Sequence, residues 1–117
     1  MPFKFEKLLV WQKAIELADC VHELSATFPK SELFSLTSQI NRASDSVSLN
    51  IAEGSTGQTN PEFKRFLNIA LRSNIEVVGC IHLAIRRKLI SKEQFDKIYK
   101  MCEEILAMIN GLKNNLK

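Results

Sequence analysis

Along this chain apolar residues return at steps of three and four, and no stretch alternates with the step of two that a strand needs. The pattern is clearest near the end, where Phe95, Ile98, Cys102, Ile105, Ile109, Leu112 and Leu116 form one seam. Ser91, with Gln94 three residues later, is a capping-box start, so a helix is predicted from about Lys92 towards the C-terminus. A first helix shows Leu8, Trp11, Ile15, Ala18 and Val21 on one face, widened by Val10, Ala14, Leu17 and Leu24. It must stop before Pro29, because proline pushes the preceding residue out of helical geometry. A second helix carries Leu36, Ile40, Ala43, Val47 and Ile51 and is predicted to end at Gly54, as a left-handed C-terminal cap. A third begins at Asn60-Pro61-Glu62, read as a cap, a proline in the first turn and an acid near the positive helix end.

Four amphipathic helices of roughly 20 residues, each about 30 Å long, predict an all-α fold. The expected form is a single up-down-up-down antiparallel four-helix bundle over residues 1–117, with short connections. The third helix is apolar over more than one stripe. Phe63, Phe66 and Ala70 point one way, and Leu67, Leu71 and Val78 extend round the side. The surplus fits either self-association or a wide core-facing stripe.

Composition sharpens this picture without redirecting it. The chain has 117 residues, 45% apolar and 25% charged, enough for one core without disulfides or metal. Cys20, Cys80 and Cys102 form an odd set with no CxxC spacing, which suits buried free thiols in a reducing cytoplasm. Glu6 and Lys7 interrupt the N-terminal segment where a signal peptide would be apolar, and no run reaches the ~18 apolar residues of a membrane span. The formal charge is +3, unevenly spread: residues 1–58 carry five basic against seven acidic side chains, and residues 59–117 eleven against six. Such asymmetry favours an anionic partner for one face.

The stretch Asn50-Ile51-Ala52-Glu53-Gly54-Ser55-Thr56-Gly57-Gln58 is the candidate for chemistry. It lacks the Gly-Lys-Ser/Thr of a phosphate loop and follows a helix rather than a strand. It reads better as the corner between helices 2 and 3. Glu53, at a helix end that disfavours negative charge, is expected to pair with Lys64 or Arg65 across that corner, and Arg42 with Glu76 further along. A di-iron centre would need Glu-x-x-His on two helices, whereas the chain offers only Asp19-x-x-His22. No Ser/His/Asp or Cys/His arrangement supports nucleophilic catalysis, so no catalytic residue, metal or cofactor is expected.

Nucleic-acid binding is the remaining chemistry. Helix 3 and its flank carry Lys64, Arg65, Arg72, Arg86, Arg87, Lys88 and Lys92 against Glu62 and Glu76. Basic residues near phosphate supply salt-dependent affinity whatever the fold, and a solvated helix face is the competing account. One weakly charged monomer binds poorly, whereas converging copies gain by multivalency.

Several segments, in this order and spacing, resemble one family. They are Val10-Trp11-Gln12-Lys13-Ala14, Phe28-Pro29 with Glu32, Leu36-Thr37-Ser38-Gln39-Ile40, Arg42-Ala43, Asn50-Ile51-Ala52-Glu53-Gly54, and Phe66-Leu67 with Ile69-Ala70. The family is the bacterial four-helix-bundle proteins encoded by intervening sequences in 23S ribosomal RNA genes; the accessory variability proteins of diversity-generating retroelements look like distant relatives. The resemblance covers nearly the whole chain, with Trp11, Gln39, Arg42, Asn50, Glu53 and Gly54 as its structural signature. It implies a small bundle assembled as a ring, typically a homopentamer, with a basic surface facing nucleic acid and no established enzymatic activity. The chain departs from the pattern at Asn41, where a second arginine is usual, at Ser48, near a usual proline, and at Arg72, where glycine is usual. The expectation is therefore a cytoplasmic bacterial scaffold that binds RNA or an RNA–DNA hybrid through phosphate contacts. The alternative is an adaptor ring for a protein partner such as a reverse transcriptase.

Overall fold

A computed structural model describes residues 2–57 and 59–116. Four long helices form the bundle: α1 (Leu9–Ser25), α2 (Ser38–Ser55), α3 (Asn60–Arg86) and α4 (Lys92–Asn115). Each packs on the next, and α1 returns against α4, within a body measuring 44 × 23 × 22 Å. Among the described residues there is no strand. No described helix is long and apolar enough to cross a membrane.

The seams follow the sequence pattern with one rotation. All five positions predicted for the second helix are buried, Leu36 on the turn just before α2 and the other four on α2, and on α4 Ile98, Cys102, Ile105 and Ile109 are. On α1 the centre lies on Val10, Ala14, Leu17, Val21 and Leu24, while Trp11 and Ile15 are only half-buried. Trp11 instead meets Phe5 edge-on at 4.9 Å between ring centroids, outside the helix, in the short turn Lys4–Lys7. On α3 the buried line runs Phe63, Leu67, Ala70, Asn74, Val77, Ile81 and Ala84. Its surplus apolar surface is at Ile69, Ile75 and Leu83, which the step pattern did not single out.

Helix lengths depart from the uniform expectation, at 17, 18, 27 and 24 residues in chain order. The α1–α2 connection is correspondingly long. It holds a 3-10 turn at Lys30–Glu32 and a π-helical turn at Leu33–Thr37 that leads directly into α2. At the other corner the cap of α3 is Thr59, not Asn60: its side chain accepts from Glu62 N at 3.2 Å, and Pro61 follows in the first turn. Ser91 and Gln94 form the predicted capping box of α4.

Gly54 corrects a second expectation. It lies inside α2, and none of the described glycines has a positive φ, so left-handed geometry is not its role. A Cβ there would lie 2.5 Å from Phe66 Cβ and 3.1 Å from Phe63 Cδ1. Glycine is required because α3 comes too close for any side chain. Gln58, the last residue of the corner stretch, lies outside the described residues.

The core is almost wholly apolar. Its buried polar residues are Ser25, Ser44, Ser48, Ser55 and Asn74, of which Asn74, at 2% exposure, is the largest. Asn74 Nδ2 donates to the Cys102 carbonyl at 2.8 Å and so ties α3 to α4, while Oδ1 has no partner. Cys80 and Cys102 are buried free thiols. Burial, with the Glu76 carboxylate as a second cause, pushes Cys80 up to about 11, and burial pushes Cys102 up to about 12.

The glycines predict substitutions of opposite sign. Gly54→Ala should destabilise the fold, since overpacking costs about 1–3 kcal/mol and exceeds the roughly 1 kcal/mol that alanine gains in a helix. Gly79→Ala, with nothing within 4 Å of the new Cβ, should stabilise by roughly 1 kcal/mol. Urea denaturation of the two variants checks both signs.

The thiols predict a pH effect. From an ordinary value of 9.0 upward, unfolded thiols lose protons that the folded chain keeps to about 11 and 12. Stability therefore falls as pH rises through that window. Urea midpoints at increasing pH should fall less steeply for Cys80→Ala/Cys102→Ala, and in the parent a thiol reagent should reach half-buried Cys20 first.

Candidate nucleic-acid interface

The predicted basic residues occupy two regions, the outer face of α3 and the corner where α3 turns into α4. Arg65, Arg72 and Arg86 are exposed and separated by multiples of seven residues. Seven residues make nearly two turns, with a drift of only about 20° per heptad, so these arginines form one line along α3. Gly79 occupies the vacant heptad position between Arg72 and Arg86 and is exposed. From Arg72 to Arg86 the line covers about 21 Å at 1.5 Å per residue. A shallow hollow of about 360 Å³ lies between Arg65 and Arg72, lined also by Asn68, Ile69 and Leu71.

Individual side chains are committed to different degrees. Arg65 stacks its guanidinium on Phe66, 4.7 Å from the ring centroid. Lys64 is half-buried. Arg87 Nη1 donates to Glu32 Oε1 at 3.1 Å, and Lys92 Nζ donates to Asp96 at 2.9 and 3.0 Å. Arg72, Arg86 and Lys88 have no carboxylate within 4 Å among the described residues. Arg65 also lacks a carboxylate there, so of the seven predicted contacts these three are the exposed ones with neither a carboxylate nor an aromatic partner among the described residues.

Lys88 is held in unusual geometry. Its φ is 60°, and among the described residues it is the single non-glycine residue at positive φ. Leu89 N donates to Ala84 O at 2.9 Å and Lys88 N to Ile85 O at 3.1 Å. This is the Schellman closure of a helix, with lysine where glycine is usual. Left-handed geometry costs a side chain roughly 1–2 kcal/mol, and residues kept in such strain cluster at functional positions.

The expected ion pairs across the α2–α3 corner are absent among the described residues. Neither Lys64 nor Arg65 reaches Glu53, which is exposed to solvent. Glu76 does not meet Arg42; its Oε2 accepts from Gln39 Nε2 at 3.3 Å. Gln39, Ser46 and Asn50 share the side of α2 that meets α3, whereas Arg42 lies about 60° further round the helix. Ser73 Oγ donates to Ser46 Oγ at 3.0 Å, and Asn50 Nδ2 donates to the same oxygen at 2.9 Å. The register is thus set by hydrogen bonds and the Gly54 contact. Asn41, where a second arginine was expected, instead joins α1 to α2, its Nδ2 donating to Ser25 Oγ at 2.9 Å.

Pattern reasoning missed two features. Phe34, on the π-helical turn, is 93% exposed, a property that no step pattern reveals. The Glu32–Arg87 pair joins the two corners at one end of the bundle, and Glu32 was visible only as a signature residue. His22 Nε2 lies 3.1 Å from Asp45 Oδ1 on α2, and among the described residues no group of three His, Cys, Asp or Glu could hold a metal.

The family of 23S rRNA-intervening sequence proteins matches over residues 6–111. The chain belongs to this family. A crystal structure of a protein of unknown function, from the S23 ribosomal protein family of Bacteroides thetaiotaomicron, superposes with a TM-score of 0.84 at 28% identity. The match covers 90% of this chain and 98% of that one. No curated protein matches the chain. The family signature now has a structural meaning, since Gln39, Asn50 and Gly54 all sit on the α2–α3 contact.

Strain at Lys88 predicts that Lys88→Gly raises stability by up to about 1 kcal/mol despite the loss of a charge. Thermal and urea unfolding of the variant check it, and a destabilised variant would contradict this account of the corner.

Proposed function

We propose that this protein is a non-catalytic scaffold that binds nucleic acid, RNA first, through phosphate contacts from the outer face of α3 and the α3–α4 corner. The observation that carries the reading is Arg72 and Arg86 on the α3 line, with Lys88 at the corner beyond its end, exposed and without carboxylate partners among the described residues. A lysine kept at positive φ at that corner, where glycine would relieve strain, adds to it. The family's association with ribosomal RNA intervening sequences supports RNA over DNA, and an RNA–DNA hybrid presents similar phosphates.

A single copy reaches only about 21 Å of ligand, roughly six phosphate steps at 3.4 Å each. Useful affinity then calls for several copies side by side. Ile75 and Leu83 are exposed on α3, and Tyr99 on α4; they supply apolar surface for self-association. A homopentameric ring is the form the family resemblance suggests. The same apolar surface favours a second reading, an adaptor ring whose partner is a protein such as a reverse transcriptase.

The test is binding of the full chain to a structured RNA over a range of salt. Arg72→Ala, Arg86→Ala and Lys88→Gly together should weaken binding at low salt and lower the slope of log K against log salt by about 2–3. Gly79→Arg should fill the vacant heptad position and strengthen binding. If the parent does not bind at low salt, or the triple variant binds like the parent, the reading fails and the adaptor remains. Light scattering gives the copy number.

A further inference from the structure

The π-helical turn Leu33–Thr37 sorts its side chains sharply, with Leu36 buried at 2% exposure and Phe34 standing 93% in solvent. Among the described large apolar side chains none is more exposed. The turn is fixed in place: Ser35 Oγ donates to Glu32 Oε1 at 2.9 Å, and the same oxygen accepts from Arg87 Nη1 at 3.1 Å. That carboxylate fastens the Phe34 turn to the α3–α4 corner, where the arginine line ends at Arg86 and Lys88. Lys30 is exposed on the turn just before it.

Glu32 is neutralised by Arg87, and Asp96 by Lys92, so of the acids near this end Glu93, and Glu23 at the end of α1, lack a cation within 4 Å among the described residues. An exposed ring beside a cationic track is the arrangement that holds single-stranded nucleic acid: the cations follow the phosphates and the ring stacks on a base. A paired base in a duplex has no free face to offer. Phe34 with its exposed neighbour Leu33, on a five-residue turn, is also too little apolar surface for a membrane-binding face, which needs the broad apolar side of a longer helix.

We infer that Phe34 is a stacking platform for an unpaired nucleobase, so that the ligand is a single-stranded or looped stretch whose phosphates run along Arg86 and Lys88. This rests on the nucleic-acid reading above and names the form of the ligand. Phe34 is solvent-exposed, so its replacement leaves the core intact.

The experiment measures fluorescence anisotropy of a labelled single-stranded RNA of about 12 nucleotides, within the usual site size, and of a duplex of equal length at the same salt. Phe34→Ala should weaken the single strand about tenfold and leave the duplex and both salt slopes unchanged. Phe34→Trp should keep the affinity, with tryptophan emission quenched on binding beyond any change in the parent, whose single tryptophan is Trp11. If the parent binds both RNAs and Phe34→Ala changes neither, or weakens both alike, the stacking inference is overturned while the phosphate reading stands. If the parent binds neither, both fall. Phe34-dependent binding to anionic phosphatidylserine vesicles without RNA binding would overturn both in favour of a lipid surface.

Discussion

At Gly54 the backbone of α2 lies so close to Phe66 and Phe63 that one added methyl group would displace α3. The rest of the bundle depends on this approach. It sets the separation of α2 and α3 at their shared corner, and the Ser73–Ser46 and Gln39–Glu76 hydrogen bonds carry the register along the contact. None of these bonds relies on an ion pair, so the register is largely insensitive to salt.

At the opposite end of the α2–α3 pair the economy is different. Arg87 pairs with Glu32, which joins the two connections, and Lys92 pairs with Asp96 within the first turn of α4, while Arg86 and Lys88 are left unpaired among the described residues. The Schellman closure carries Lys88 through left-handed geometry and fixes the direction of the chain into α4. The same Glu32 carboxylate that anchors Arg87 anchors the turn bearing Phe34. One acid thus ties the turn that carries Phe34 to the corner that carries the cations.

The chain belongs to the 23S rRNA-intervening sequence protein family over residues 6–111. The Bacteroides thetaiotaomicron structure has the same fold over nearly its full length. Functional interpretation therefore rests on features of this chain's own surface, above all the heptad-spaced arginines of α3 and the corner they lead to.

Helix number, the α2 and α4 seams and the capping box at Ser91 were legible in the sequence because they depend on local periodicity and on hydrogen bonds within a few residues. The cluster of basic residues on α3 was legible for the same reason. Charge partners were not: Glu53 and Arg42 were matched to cations and acids by counting from the corner, which ignores how far round the helix each side chain lies. Gly54 was expected to end a helix by its backbone freedom, whereas it is small because another helix touches it, a cause that exists only across the fold. Local spacing determined which faces would be apolar or basic. Only the tertiary structure decided which charges remained unpaired, which helices touched at glycine, and that Phe34 would stand in solvent, because each depends on residues far apart in the chain.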